Sequence, residues 1–191
     1  MAKIFIDPGH GGADSGAFAN GIKEKNVNLN VALKLAKLLR NNGFDVKLSR
    51  ETDIFVDLAT RSKMSNDFGS DLFISIHHNA GGGDGYEVLH SVHAGKDDRL
   101  ARLIGEEFSR FQNAHGVGVI THPSASNPKI DYLSVLRLTE CEAKVLTEYA
   151  FLDSKDSQII DTAEELSREA YLIAYAVCKY VGIKFKDIGG K

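Results

Sequence analysis

The chain reads as an α/β protein, a three-layer α/β/α sandwich with a central, mostly parallel (mixed) sheet and helices on both faces. Apolar runs of strand length alternate with longer segments whose apolar residues recur at three- and four-residue spacing. Glycines and capping residues punctuate the joins, the pattern of strand–helix units. With 191 residues, 43% hydrophobic and 26% charged, there is enough chain for one domain with a layered core.

Ala2 to Ile6 is an apolar run that suits a buried strand, and Asp7-Pro8-Gly9-His10-Gly11-Gly12 stops it in a tight turn. Val27 to Leu39 places Val27, Leu29, Val31, Leu35, Leu38 and Leu39 on or near one helical face, with Gly43 just past the end. Phe44 to Leu48 is a strand. Asp57 opens a second helix through Met64 that ends near Gly69. Asp71 to Ile76 reads as a buried strand and Tyr86 to Ser91 as another. Residues 97 to 112 carry Leu100, Leu103, Ile104, Glu107 and Phe111 at helical spacing. Residues 113 to 130, with Gly116, Gly118, Pro123 and Pro128, read as loop. Further strands are expected at Tyr132 to Leu136 and Lys144 to Tyr149. Asp161 with Glu164 forms a capping-box pattern that starts a long helix ending at Gly182. The domain so defined covers residues 1–182. The tail, 183–191, is a frayed terminus or the first residues of a linker to a further module.

The bulk numbers exclude several functions. A net charge of −3 and a pI near 6.2 argue against nucleic acid, which demands a basic face. No apolar stretch approaches the roughly 20 residues needed to span a bilayer. The N-terminus has no basic stretch followed by an apolar core, so no signal peptide is expected. Cys141 and Cys178 are far apart, and Cys178 sits on an apolar helical stripe as a buried thiol. Two such cysteines make neither a disulfide framework nor a zinc knuckle. Any metal must therefore be held by nitrogen and oxygen.

Four places can carry chemistry. His10 is presented at the carboxyl end of a strand, where ligands bind in open α/β sheets. Glu24 precedes the first helix, where a carboxylate ordinarily complements the helix dipole. Ser75-Ile76-His77-His78-Asn79-Ala80 ends a second buried strand in histidine. Neighbours on a strand point to opposite faces, so His77 and His78 should not serve one metal together unless the strand has already ended. Glu148 lies near the end of an apolar strand, where burial is costly unless the group is paired, metal-linked or catalytic. Two histidines and a glutamate are the usual ligands of a catalytic zinc, and a second carboxylate can move the proton. His90 and His93 are expected at the surface, and His115 and His122 are assigned no role.

These residues resemble the zinc-dependent N-acetylmuramoyl-L-alanine amidases of the amidase-3 group, found in cell-wall autolysins and phage endolysins. The resemblance runs from Lys3 to about Gly182. It is carried by Ile6 to Gly12, Lys23-Glu24, Ser49 to Asp53, Leu58 to Asn66 around Arg61, Ser75 to Ala80, Gly85 to Val88, Leu136-Arg137 and Val145 to Leu152. It implies that His10, Glu24 and His77 hold one zinc ion per chain and that Glu148 is the catalytic glutamate. Asn79 and Arg137 are carried over as substrate-binding residues, with a structural ion pair the alternative for Arg137. The family usually has Ser-Ile-His-Ala-Asn-Ala, so His78 replaces a small residue and adds a polar group beside the cleft or a histidine at the surface. The usual proline before the last catalytic strand is absent, with Ala143 and Lys144 there. The usual Glu-x-Gly-Phe is Glu148-Tyr149-Ala150-Phe151.

The implied activity is hydrolysis of the amide between N-acetylmuramic acid and L-alanine of peptidoglycan, with Glu148 passing a proton to the departing amine. A zinc peptidase or other amidohydrolase acting on another wall bond, and a non-catalytic wall-binding module, are the rival readings. Peptidoglycan is the expected partner, with no nucleic acid and no membrane insertion, and a C-terminal wall-binding module beyond the chain would fit. The protein is expected to be made in the cytoplasm and to reach the wall after release, in phage lysis or in lysis of a mother cell.

Overall fold

Phe5 and Ile6 are neighbours on one strand, point to opposite faces and are both buried, so the sheet they belong to must be covered on both sides. The computed structural model describes residues 1–93, 95–112 and 118–187. Its elements are β1 (Lys3–Pro8), the short pair β2 (Phe18–Ala19) and β3 (Ile22–Lys23), α1 (Glu24–Asn41), β4 (Asp45–Leu48) and α2 (Leu58–Phe68). Then come β5 (Leu72–Asn79), β6 (Glu87–His90), α3 (Lys96–Gln112), β7 (Gly118–Thr121), the pair β8 (Pro123–Ser124) and β9 (Asn127–Asp131), and α4 (Ser134–Leu138). The chain closes with β10 (Ala143–Phe151), a 3-10 turn (Lys155–Ile159) and α5 (Ala163–Val181).

Six strands form the central sheet in the order β4-β1-β5-β10-β6-β7. Strands β4, β1, β5 and β10 run parallel, β6 is antiparallel to β10, and β7 is parallel to β6. Ile4, Ile6, Ile74, Ile76 and Val145 pack with α1, α3 and α5 on one face. Phe5, Phe73, Leu89 and Leu146 pack with Phe68 of α2 and Val135 and Leu136 of α4 on the other. The mixed three-layer sandwich is thus as expected, and it brings the carboxyl ends of β1, β5 and β10 to one edge.

Several elements depart from their sequence-based expectation. Strand β5 runs on through His77 and His78 to Asn79, so the alternation of side chains persists through both histidines. Residues 132 to 136 are not a strand: the chain turns into α4 at Ser134. Five residues are too few for apolar spacing to distinguish a strand from one helical turn. Within residues 113 to 130, read as loop, lie β7, whose partner β6 is distant in sequence and leaves no local signal, and a short β8–β9 hairpin that runs on to Asp131. The α5 cap lies one residue later than the Asp161–Glu164 pattern: the Thr162 hydroxyl accepts from Glu165 N at 3.2 Å. In the tail, Phe185 packs edge-on against Tyr171 and Tyr175 with ring centroids 5.0 and 5.8 Å away. Lys186 exchanges two backbone hydrogen bonds with the Asn42 side chain, so the described part of the tail is docked instead of frayed.

The displaced cap gives a test. Thr162→Ala should lower stability by about 1 kcal/mol, the usual cost of losing a hydroxyl cap, while Asp161→Ala leaves the urea midpoint where it was. The reverse ranking would return the cap to Asp161.

Candidate metal centre

The turn after β1 starts the site. His10 has φ 59°, a left-handed conformation unusual outside glycine, and something must hold it there. Two buried arginines do so. Arg61 on α2 donates to Asp7 Oδ1, Pro8 O and His10 O, each at 2.7 Å. Arg50, just after β4, donates to Pro8 O at 3.0 Å and to Gly9 O at 2.8 Å. Asp7 also accepts from the hydroxyls of Ser49 and Ser75, so its buried carboxylate is fully paired.

Glu24, the first residue of α1, joins the two histidines. Its Oε2 lies 3.1 Å from His10 Nε2 and its Oε1 lies 3.0 Å from His77 Nδ1. The backbone amides of Ala17 and His78 and the side-chain amide of Asn28 donate to the same carboxylate. Asp14 faces His10 Nδ1 at 2.8 Å, and because a carboxylate only accepts, it holds a proton there and aims Nε2 at the cluster. Burial alone would raise the Glu24 pKa and lower that of His10. The hydrogen bonds of Glu24 with His10 and His77, and of His10 with Glu24 and Asp14, win, holding the Glu24 carboxyl well below the usual range and His10 above its own.

This group of His10, Glu24 and His77 could hold a metal ion, with all three ligand atoms within 4.8 Å of one another. Two imidazoles and one carboxylate suit a zinc that keeps a position open. The backbone is shaped for the cluster as well. A Cβ on Gly9 would fall 2.2 Å from the His77 ring, and one on Gly16 would fall 2.5 Å from Glu24 Oε2.

Glu148 on β10 is in register with His77 on one side and with Glu87 of β6 on the other. Its Oε2 is fully buried with no partner among the described residues. Desolvation first, then the nearby carboxylates of Glu24 and Glu87, push its pKa well above the usual value. The register to β5 shifts directly after Glu148, a bulge at the place where Ala150 stands for the family's glycine. Asn79, at the end of β5, donates to Glu87 at 3.3 Å. A cleft of about 610 Å³ opens at His10 and His77, lined also by Phe55 and Leu58 and by Leu133, Val135 and Leu146.

Other candidates fall elsewhere. Arg137 is exposed and donates to the carbonyls of Asp131 and Tyr132 and to the Ser134 hydroxyl; among the described residues it has no carboxylate partner, so the structural ion pair is replaced by a clasp on a turn of the cleft wall. His78 is neither beside the cleft nor at the surface: it is 2% exposed and points into the α1–α5 layer. His90 is buried too, against Ser91 O, contrary to the surface placement expected of it, whereas His93 is exposed as expected. His122 packs against Tyr132, and His115 lies outside the described residues. Sequence reasoning missed Arg50, Arg61, Asp14 and Asn28 as positioning groups. Asp14, four residues from His10, left a local hint, and Arg50 and Arg61 stood without a role in the motifs that carry the family resemblance.

The Gly9 contact is directly testable. Gly9→Ala should fold, because the His77 ring can swing away, but should lose metal binding measured by atomic emission on the purified protein. A normal metal content would mean the close approach is not needed.

The chain has relatives among known proteins. A family described as N-acetylmuramoyl-L-alanine amidase matches residues 4–183. The amidase CwlM of Bacillus licheniformis is 38% identical over 179 residues, covering 92% of this chain and 65% of its own. The endolysin of Bacillus phage SPP1 is 36% identical over 162 residues, 82% of this chain and 57% of that one. The chain thus spans less than two thirds of these curated relatives. The solved structure of Cwp6 from Clostridium difficile superposes with a TM-score of 0.88 at 35% identity, covering 94% of this chain and 29% of Cwp6. By sequence along almost its whole length and by fold, the chain belongs to the N-acetylmuramoyl-L-alanine amidase family.

Proposed function

We propose that the protein is a zinc-dependent hydrolase that cleaves the amide between N-acetylmuramic acid and L-alanine in peptidoglycan, and so lyses cell walls. One observation carries this reading: the His10–Glu24–His77 cluster opens to a cleft through its two histidines, and Glu148, a carboxyl with raised proton affinity, is in register with His77. The family match and the names of the relatives support the substrate.

His10, Glu24 and His77 would hold one zinc ion, which when bound polarises a carbonyl and acidifies a water. Glu148 takes the proton from the attacking water and returns it to the nitrogen of the departing L-alanine. Its raised proton affinity suits the second half of that task, because a carboxyl that keeps its proton can deliver it. Asn79 and Arg137 are proposed to bind substrate, Asn79 from the end of β5 and Arg137 from the turn that it clasps at the cleft wall. Residues 1–182 form the catalytic domain in this reading, with the site of action at the wall. No helix of the described residues is long and apolar enough to cross a membrane. A wall-binding module following residue 191 would raise the local concentration of the enzyme on its polymer.

Chelation should abolish lysis of isolated walls and zinc should restore it. Glu148→Gln should keep about one zinc while turnover drops roughly 10²- to 10⁴-fold. Mass spectrometry of the digest should find free stem peptides that begin with L-alanine; cleavage between amino acids would point to a peptidase instead.

The same variant has a signature in stability. Folding raises the Glu148 pKa above its unfolded value, so the native state binds the extra proton. The stability gained from that proton is present in acid and lost as pH rises through the raised pKa. Metal-free Glu148→Gln should therefore melt above metal-free wild type near neutral pH, and with it in acid. Equal midpoints at neutral pH would mean that Glu148 is not strained.

A further inference from the structure

Behind the metal cluster lies a second polar group that the proposed reaction does not use. His78 and Glu169 are both buried, and Glu169 is 0% exposed on α5. His78 Nε2 lies 3.0 Å from Glu169 Oε2, and His78 Nδ1 lies 2.8 Å from Asn28 Oδ1. Asn28 in turn donates Nδ2 to Glu24 Oε1 at 3.2 Å and to Gly9 O at 3.4 Å. Those two acceptors decide which end of the Asn28 amide is which, so Oδ1 must accept from His78 and Nδ1 must carry a proton. The remaining Glu169 oxygen, Oε1, has no partner among the described residues.

A buried polar pair is a poor device for stability, since apolar side chains of similar volume are often as good or better. An interior pair with an orphaned oxygen, placed where the family pattern has a small residue, calls for another explanation. Continuity supplies it. Glu169, His78, Asn28 and Glu24 form one unbroken hydrogen-bonded chain from the last helix to a member of the metal cluster. Each link fixes the next: the carboxyl of Glu169 settles the ring and proton of His78, His78 settles the amide of Asn28, and Asn28 settles one oxygen of Glu24.

We propose that Glu169 is a positioning residue of the metal centre, acting through His78 and Asn28 to hold the Glu24 carboxylate ready for the ion. The proposal rests on His10, Glu24 and His77 being the metal ligands. Loss of a group hydrogen-bonded to a ligand typically weakens metal binding about 10- to 100-fold, and Asn28, which the Glu169–His78 pair fixes, is such a group.

The double variant His78→Leu/Glu169→Met removes the pair and keeps apolar volume in its place. The fold should survive with a midpoint somewhat below wild type, because the buried Asn28 Oδ1 loses its donor, while its zinc dissociation constant, from competition with a chelating indicator, rises about 10- to 100-fold. A merely structural pair would leave the constant unchanged, and that result would overturn the proposal. Should the double variant fail to fold, two single variants carry the test. Glu169→Met should weaken zinc binding. Glu169→Gln, whose amide can donate to His78 Nε2 and keep the proton on Nδ1, should bind zinc as wild type does. Equal affinity in the two would again overturn the proposal. Wild-type protein that takes up no zinc at all would bring down the ligand assignment itself, which separates the two failures.

Discussion

The clasp of Arg61 and Arg50 on the backbone after β1 is the interaction on which the site depends. The carbonyls of Pro8, Gly9 and His10 leave the sheet ladder at the strand end and need donors. Arg61 reaches them from α2 and Arg50 from the segment after β4, so three separate stretches of chain meet on one turn. The Asp7–Arg61 pair beneath the turn is buried on both sides, and removing one partner from such a pair costs about 3–5 kcal/mol. That is a large share of a domain's stability. The left-handed His10 is therefore fixed before any ligand arrives, and Glu24 and His77 are brought to it by α1 and β5.

What the clasp makes possible is an edge with unfavourable electrostatics. Glu24, Glu87 and Glu148 crowd one end of the sheet, and only Glu24 is neutralised by its histidines. Such strain persists because the two apolar layers are extensive and unbroken beneath it. Proteins commonly give up stability at the place where chemistry is done. The bulge after Glu148 belongs to the same edge, breaking the ladder to β5 directly after the crowded carboxyl.

Much of the fold was legible because its signals are local. The stripe of Val27, Val31, Leu35 and Leu39 marks α1, and the Asp57 cap and Gly69 bound α2. The residues that could hold a metal were legible from strand-end histidines and from a known family pattern. Short elements were not. Residues 132 to 136 carry an apolar run without a period, and β7 exists only because Val88 and Leu89 of β6 lie beside it. His78 was misplaced for a similar reason: its partners, Asn28 and Glu169, lie 50 and 91 residues away.

The amino-acid sequence by itself determined the alternation of strands and helices, the layered class and the residues able to bind a metal, because apolar period, capping and residue chemistry are properties of neighbours along the chain. Tertiary structure alone decided which of those residues meet. It set His77 toward Glu24 and His78 into the interior, through a strand that did not end where local signals placed its end. It also brought Arg50, Arg61 and Glu169 to work on residues far away in sequence. Distance along the chain says nothing of such contacts; parallel pairing and the packing of helices on both faces create them.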